Sequence, residues 1–318
     1  MNRIIDAHCH YTVPEYYDFL CKNGAELEDG FPIPAWDEEM HLELMDEAGI
    51  EWTMMSISSP HPYYQDDAEG RDMARKFNDK AASVKRKYPD RFGFGACLPL
   101  PNIDAAIEEA KYAINELGAD TIKFASNSRG LYLGDAALDP LFAYLNEQKC
   151  IINIHPHRPA PQQEGVFTAG PVPLYEFLCD TTRAVLNMIA NGVLERYPDI
   201  KVIVPHCGSF LPNIYDRFLF ISEVLVPKGL MQPIDVEKNF SSLYFDLSGN
   251  PAPHLLEFLL TITTPDKIMY GSDFPFTAKP LVLRNLKRLL DMLDEKPNLT
   301  PYKDQFMFET ARKLFKRP

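Results

Sequence analysis

The residues able to do chemistry begin almost at the first one, in Ile4-Ile5-Asp6-Ala7-His8-Cys9-His10. Two apolar residues lead into Asp-x-His-x-His, and on a strand residues i and i+2 point to one side. His8 and His10 are therefore expected to share a face with Asp6, successive members about 6 to 7 Å apart. Two imidazoles at the end of one strand can grip a divalent ion. H-x-H alone is equally what two ordinary polar residues at a strand end look like. Three further stretches favour the metal. Ile151-Ile152-Asn153-Ile154-His155 and Val202-Ile203-Val204-Pro205-His206 are apolar runs that each end in histidine, and Ile268-Met269-Tyr270-Gly271-Ser272-Asp273 ends in aspartate. Four imidazoles and one carboxylate at the ends of four strands share one chemical reason: three or four N/O ligands around an ion, with a position left open.

The elements that must position them follow from the hydrophobic pattern. Strand-like runs fall at residues 3–9, 52–58, 92–98, 120–125, 150–155, 201–206, 243–247 and 267–271, separated by longer amphipathic segments. Connections of that length make the strands parallel, and eight of them predict an α/β fold, a closed (β/α)8 barrel formed by residues 1–318 as one domain. An open doubly wound sheet would show a glycine-rich first turn, where this chain has histidines. In such barrels the chemistry sits at the C-terminal ends of the strands, where these histidines and the aspartate lie. Residues 10–35 read as a small irregular loop insertion after strand 1. A helix is expected after Asp37 as N-cap, with Met40, Leu44, Met45 and Ala48 on one stripe and Gly49 closing it. Residues 126–135 read as a polar loop, one helix as running to about Tyr197, and Thr300 before Pro301 as the N-cap of the last helix.

Composition narrows the partners. With 32 Lys+Arg against 45 Asp+Glu the formal net charge is -13, which argues against nucleic acid or an anionic membrane surface as partner. The six cysteines are scattered without a C-x-x-C pair, so free thiols and a cytoplasmic location are expected. No apolar run approaches the ~20 residues of a membrane span, and with a strand read from residue 3 no signal peptide is expected.

Taken together, these motifs resemble the amidohydrolase superfamily, in particular the decarboxylase branch typified by aminocarboxymuconate semialdehyde decarboxylase. The likeness runs through Asp6-Ala7-His8-Cys9-His10, Trp36-Asp37, Met45-Asp46-x-x-Gly49-Ile50, His155-Pro156, His206-Cys207-Gly208-Ser209 and Gly271-Ser272-Asp273-Phe274-Pro275-Phe276. Tyr132-Leu133-Gly134-Asp135, Asp180-Thr181-Thr182-Arg183-Ala184 and Arg196-Tyr197-Pro198-Asp199 are similar to methylsalicylate decarboxylases. The resemblance implies that His8, His10, His155 and Asp273 bind the metal and that His206 is the adjoining acid/base. It implies that Arg217 meets the substrate carboxylate across a homodimer interface. Two positions depart from the pattern. His41 stands where that family has an arginine, and Cys207-Gly208-Ser209 replaces three glycines.

Several residues are read on their own terms. Trp36, with Tyr16, Tyr17 and Phe31, is expected to cover the pocket, and His41 and His61 to line it. By the resemblance Lys123 in strand four would bridge two metals if carbamylated, as in some amidohydrolases; one aspartate without a further carboxylate favours a single ion, with Lys123 a buried paired charge or snorkelling to the barrel rim. His157, beyond Pro156, is at most a supporting contact. Arg183 either anchors an anion or pairs with Asp180 at i,i+3, worth only ~0.3 kcal/mol if exposed.

The expected activity is metal-dependent, non-oxidative decarboxylation of a small aromatic or unsaturated carboxylic acid. One divalent ion, zinc by its three imidazoles or else manganese, would hold the small-molecule carboxylate. The proton would come from ion-polarised water working with His206, or from Asp273. The alternative is hydrolysis of a lactone, ester or amide by the same ligands.

Overall fold

A computed structural model of the chain describes residues 3–59, 62–63, 66–161, 165 and 169–317. Its centre is β1, Ile4–His10, buried along all seven residues. A strand buried on both faces carries apolar side chains almost without alternation, the pattern of a parallel sheet covered by helices. The other barrel strands are β2 (Ile50–Ser56), β3 (Phe92–Ala96), β4 (Thr121–Ala125), β5 (Ile151–His155), β6 (Lys201–Val204), β7 (Tyr244–Asp246) and β8 (Ile268–Met269). Neighbours pair in parallel in the order β1 to β8. The ring is completed between the residues following β8 and β1. Ala7 N–H donates to the Tyr270 carbonyl at 2.9 Å, and the Ser272 and Asp273 amides donate to the His8 carbonyl at 3.1 and 2.8 Å. This is the (β/α)8 barrel expected from the alternation of runs.

The β1–β2 register shifts between Asp6 and Cys9. Ile5 and Ala7 pack inward with Trp52, Met54, Ile203 and Met269, and the C-terminal Phe308, Ala311 and Phe315 join them. Asp6 consequently does not join His8 and His10. Its Oδ1 accepts the amides of His8 at 3.1 Å and Ser272 at 3.0 Å, tying β1 to the segment that carries Asp273. Strict alternation predicted a shared face; the register shift removes it.

Other differences have similarly local causes. The insertion is not wholly irregular: Pro14 starts a helix, Pro14–Lys22, at a position where its missing N–H costs nothing. Residues 126–135 contain a two-stranded hairpin, Asn127–Ser128 with Leu131–Tyr132. The helix expected to run to Tyr197 breaks at Gly192, whose φ of 65° separates Glu176–Ala190 from Val193–Arg196. Thr300 does not cap the last helix. Its hydroxyl donates back to the Lys296 carbonyl at 2.9 Å, and the chain continues through a 3-10 turn, a π turn and only then Thr310–Leu314. Asp37 does cap Glu38–Ala48 as expected, accepting the Met40 amide at 2.7 Å, and Gly49 closes that helix in the left-handed region. No helix among the described residues is long and apolar enough to cross a membrane.

Candidate active site

His8 and His10 end β1, His155 ends β5, and Asp273 follows β8; one ligand atom from each lies within 4.8 Å of all the others. His8 Nε2 stands 3.1 Å from His10 Nε2, and Asp273 Oδ1 lies 3.1 Å from His10 Nε2 and 3.6 Å from His8 Nε2. The far side of each ring explains the convergence. His8 Nδ1 faces Asp246 Oδ2 at 2.8 Å, His10 Nδ1 the Ser56 carbonyl at 3.2 Å, and His155 Nδ1 the Pro156 carbonyl at 2.8 Å. Each acceptor has only lone pairs to offer, so each Nδ1 carries a proton and each Nε2 faces the centre, where that of His8 would offer a lone pair once its own proton is displaced. Nitrogens and a carboxylate oxygen gathered this closely suit a cation among them. Three imidazoles and a carboxylate with their outer nitrogens fixed fit a divalent metal ion.

The electrostatics of the four side chains agree with that arrangement except at His8. Burial opposes a charged His8, but the Asp246 carboxylate outweighs it and raises the ring to about 9. Burial would raise Asp273, yet the adjoining His10, His8 and His206 rings hold it at about 2. Burial lowers His10 to about 4 and drives His155 well below the ordinary histidine range. These four side chains therefore combine neutral imidazoles with an ionised carboxylate; only His8 retains a proton that a metal would displace.

The backbone is shaped for this purpose. Residues His206, Cys207, Gly208 and Ser209 all have positive φ, at 56°, 53°, 74° and 54°, as does Asp273 at 60°. Only one of the four in the turn is glycine, so the two non-glycine replacements keep the conformation and bear its strain, on the order of 1 to 3 kcal/mol each. Gly271 has a steric reason to be glycine: a Cβ there would come 2.8 Å from the His8 Cβ.

A cavity of about 310 Å³ opens onto His155, His206 and Asp273. Phe31, Phe177, Leu178 and Phe276 supply apolar walls, and Asp29, Ser58, Ser59, Ser248 and Asn250 the polar points. His206 Nε2 is 4.0 Å from Asp273 Oδ2, and its Nδ1 has no hydrogen-bond partner among the described residues.

The remaining sequence candidates fall elsewhere. Trp36 and His41 do not line this cavity. Trp36 Nε1 donates to His41 Nδ1 at 3.0 Å, and the His41 ring packs against Phe92 and Phe274, where burial lowers it to about 3. His41 is thus packed as a neutral ring between two phenylalanines rather than facing the cavity. His61 lies outside the described residues. Arg217 is exposed on the helix Leu211–Leu225 and does not line the cavity of its own chain. Of the aromatics in the insertion, Phe31 lines the cavity, whereas Tyr16 is buried against Phe77 and Tyr17 is 58% exposed.

Lys123 is buried and donates from Nζ to the Ser58 carbonyl at 3.2 Å; burial lowers it to about 8. It is not one of the four converging residues. His157 is buried, and its amide donates to Ser126 Oγ at 2.9 Å. Arg183 does pair with Asp180, at 2.6 Å, but Asp180 is fully buried and also accepts from Ser126, Asn127 and Tyr132. The network pins the exit of β4 to the helix Glu176–Ala190, far more than an exposed i,i+3 pair would do.

Asp246 was missed by sequence reasoning. It accepts the His8 ring, the His206 amide at 3.1 Å and the Ser248 hydroxyl at 2.6 Å. The signal was a carboxylate at a strand end, in Tyr244-Phe245-Asp246, by the same logic that singled out the histidines.

The amidohydrolase family model matches residues 5–317. The chain belongs to the amidohydrolase family. Over 285 residues, 88% of this chain and 87% of the relative, it is 30% identical to a 6-methylsalicylic acid decarboxylase of Penicillium expansum. A crystal structure described as an amidohydrolase II superposes with a TM-score of 0.90 at 32% identity, covering 98% of this chain and 99% of that one. The fold also matches, at 22% identity and a TM-score of 0.88, a 5-carboxyvanillate decarboxylase of Novosphingobium aromaticivorans crystallised with manganese and a nitrobenzoic acid, covering 99% and 96%. The resemblance read from the motifs is thereby borne out.

Proposed function

We propose that this amidohydrolase is a divalent-metal-dependent, non-oxidative decarboxylase of a small aromatic acid. The observation that carries the reading is the convergence of His8, His10, His155 and Asp273 beside an apolar cavity that His155 and Asp273 line. The similarity over most of its length to a protein named 6-methylsalicylic acid decarboxylase supplies the reaction class. An ion bound by these four residues would supply a Lewis-acidic point that fixes the substrate's oxygens.

The chain's own residues account for the rest. Phe31, Phe177 and Phe276 hold a ring in one orientation and exclude water from it. His206 and Asp273 sit side by side at the cavity wall, a neutral imidazole with one uncommitted nitrogen beside an ionised carboxylate. The proton that replaces carbon dioxide on the ring carbon would come from water, relayed through His206 or through Asp273 once either has taken one up, and departure of carbon dioxide restores the aromatic ring. Asp246 keeps His8 in register, and Asp6 keeps the Asp273 segment against β1.

The ligand set of three imidazoles and one carboxylate supports zinc as the resident metal, with manganese as the alternative. Exposed Arg217 and Phe220 on Leu211–Leu225 support a homodimer that buries this helix and carries Arg217 to a neighbouring cavity. Cys9, Cys97 and Cys207, buried as free thiols, support a cytoplasmic setting.

The test is metal analysis of the purified protein together with carbon dioxide release from a panel of hydroxybenzoates. One metal per chain and a decarboxylated phenol are expected. Turnover of lactones or esters without gas would replace this reading with hydrolysis.

A further inference from the structure

Ser58, Ser59 and Ser248 line the cavity, and among the described residues no lysine or arginine does. A carboxylate entering it therefore depends on the converging residues, on His206 and on neutral donors. Two of the three hydroxyls are already engaged. Ser248 donates to Asp246 Oδ1 at 2.6 Å, and the Ser59 hydroxyl hydrogen-bonds to the Asp29 carboxyl group. The Asp29 carbonyl in turn accepts the Val172 amide at 2.9 Å, which clamps the insertion after β1 against the segment after β5. Asn250, the remaining neutral side-chain donor, is exposed.

Ser58 differs from its neighbours. Its Oγ lies 3.4 Å from His155 Nε2, the one side-chain partner of this hydroxyl among the described residues. Because His155 Nδ1 carries its proton toward the Pro156 carbonyl, Nε2 accepts and the Ser58 hydroxyl donates. The contact is long for a hydroxyl donor, whose bonds cluster near 2.8 Å. The backbone that presents it is fixed on both sides. The Ser56 carbonyl faces His10 Nδ1 at 3.2 Å, and the Ser58 carbonyl accepts from the buried Lys123 Nζ at 3.2 Å. The segment leaving β2 is thereby held against two of the converging histidines. Once Nε2 serves a metal its lone pair is no longer available, and the Ser58 hydroxyl is left without an acceptor. A buried donor in that position is destabilising until something else accepts from it.

Resting on the decarboxylase reading, we propose that Ser58 is a substrate-binding residue whose hydroxyl donates a hydrogen bond to the carboxylate of the acid. A hydroxyl-to-carboxylate bond is charge-assisted and shorter than the contact it replaces. It fixes one carboxylate oxygen against the β2 side of the cavity, and with it the orientation of the carbon–carbon bond that breaks. Lys123 keeps the donor in place through the backbone and does not touch the acid.

Calorimetry on the metal-loaded protein compares benzoate with phenol, which lacks the carboxylate, in the native chain and in Ser58→Ala. The native protein is expected to bind benzoate. Ser58→Ala should weaken benzoate about 10- to 100-fold while phenol changes by less than about threefold. Metal content should be the same in both proteins, which separates a lost donor from a lost site. The proposal is overturned if benzoate affinity is unchanged, if benzoate and phenol weaken alike, if the variant loses its metal, or if the native protein binds no benzoate. Should Ser58→Ala fail to fold, Ser58→Gly, which also removes the hydroxyl, decides by the same ratio. Carbon dioxide release is measured separately. If no acid loses carbon dioxide, the decarboxylase reading fails by itself, and the benzoate-to-phenol comparison still supports or overturns Ser58.

Discussion

His8 Nδ1 and Asp246 Oδ2, contributed by strands on opposite sides of the ring closure, lie 2.8 Å apart, and both groups are buried. Asp246 thereby decides which nitrogen of His8 faces the other ligands. Asp246→Asn keeps the shape but removes the charge and offers an amide that can present the wrong group to the ring. Metal affinity should fall about 10- to 100-fold, measured by competition with a chromophoric chelator. An unchanged affinity would show that Asp246 merely fills space.

His155 brings the β5 side of the site to the two β1 histidines, with ring centroids 4.7 Å from His10 and 5.6 Å from His8. His155→Ala should take the metal content from one per chain to near zero and abolish metal-dependent stabilisation in thermal melts. Retained stoichiometry would exclude His155 as a ligand.

Lys123 donates to a backbone carbonyl and is absent from the converging set. Lys123→Met should therefore leave one metal per chain, whereas a second, bridged ion would be lost with it. Elemental analysis of the two proteins separates the outcomes.

Gly271 permits the segment after β8 to pass directly over His8. Gly271→Ala forces a contact of 2.8 Å against the side chain of His8, a proposed ligand. A loss of roughly 1 to 3 kcal/mol in stability is expected from such overpacking, with a parallel loss of metal affinity. Denaturant unfolding and metal titration would both register it.

The elevated pKa of Asp29 has a consequence for stability. An ordinary aspartate ionises near 3.8 and buried Asp29 near 6. Between those values the folded protein binds more protons than the unfolded chain, so this group's contribution falls as pH rises from about 4 to 6. Asp29→Asn removes that penalty. Relative to the native protein the variant should gain on the order of 1 to 3 kcal/mol at pH 7 and little at pH 4. Paired melts at the two pH values check the sign; a gain independent of pH would mean that burial of the charge is not its origin.

Much of this protein was legible in its residues because parallel barrels impose a simple rule. Apolar runs make the strands, and polar residues at their C-terminal ends stand out against them. That rule pointed to the barrel and to His8, His10, His155, His206 and Asp273 as its chemical residues. It also placed Asp37 and Gly49 at the two ends of one helix, since capping is local chemistry. What lay beyond it depended on contacts distant in sequence. The register shift in β1 turned Asp6 away from His8 and His10, and no pattern of residue types records such a shift. Asp246 became the partner of His8 only when β7 came close to β1 across the closed ring. His41 and Trp36 carried the right chemistry for a pocket and were packed behind it, because helix packing decides which face of a segment meets the barrel. Asp29 entered the cavity only because the insertion is clamped against the segment after β5. Strand ends are written in the sequence; what surrounds them is decided by closure of the ring.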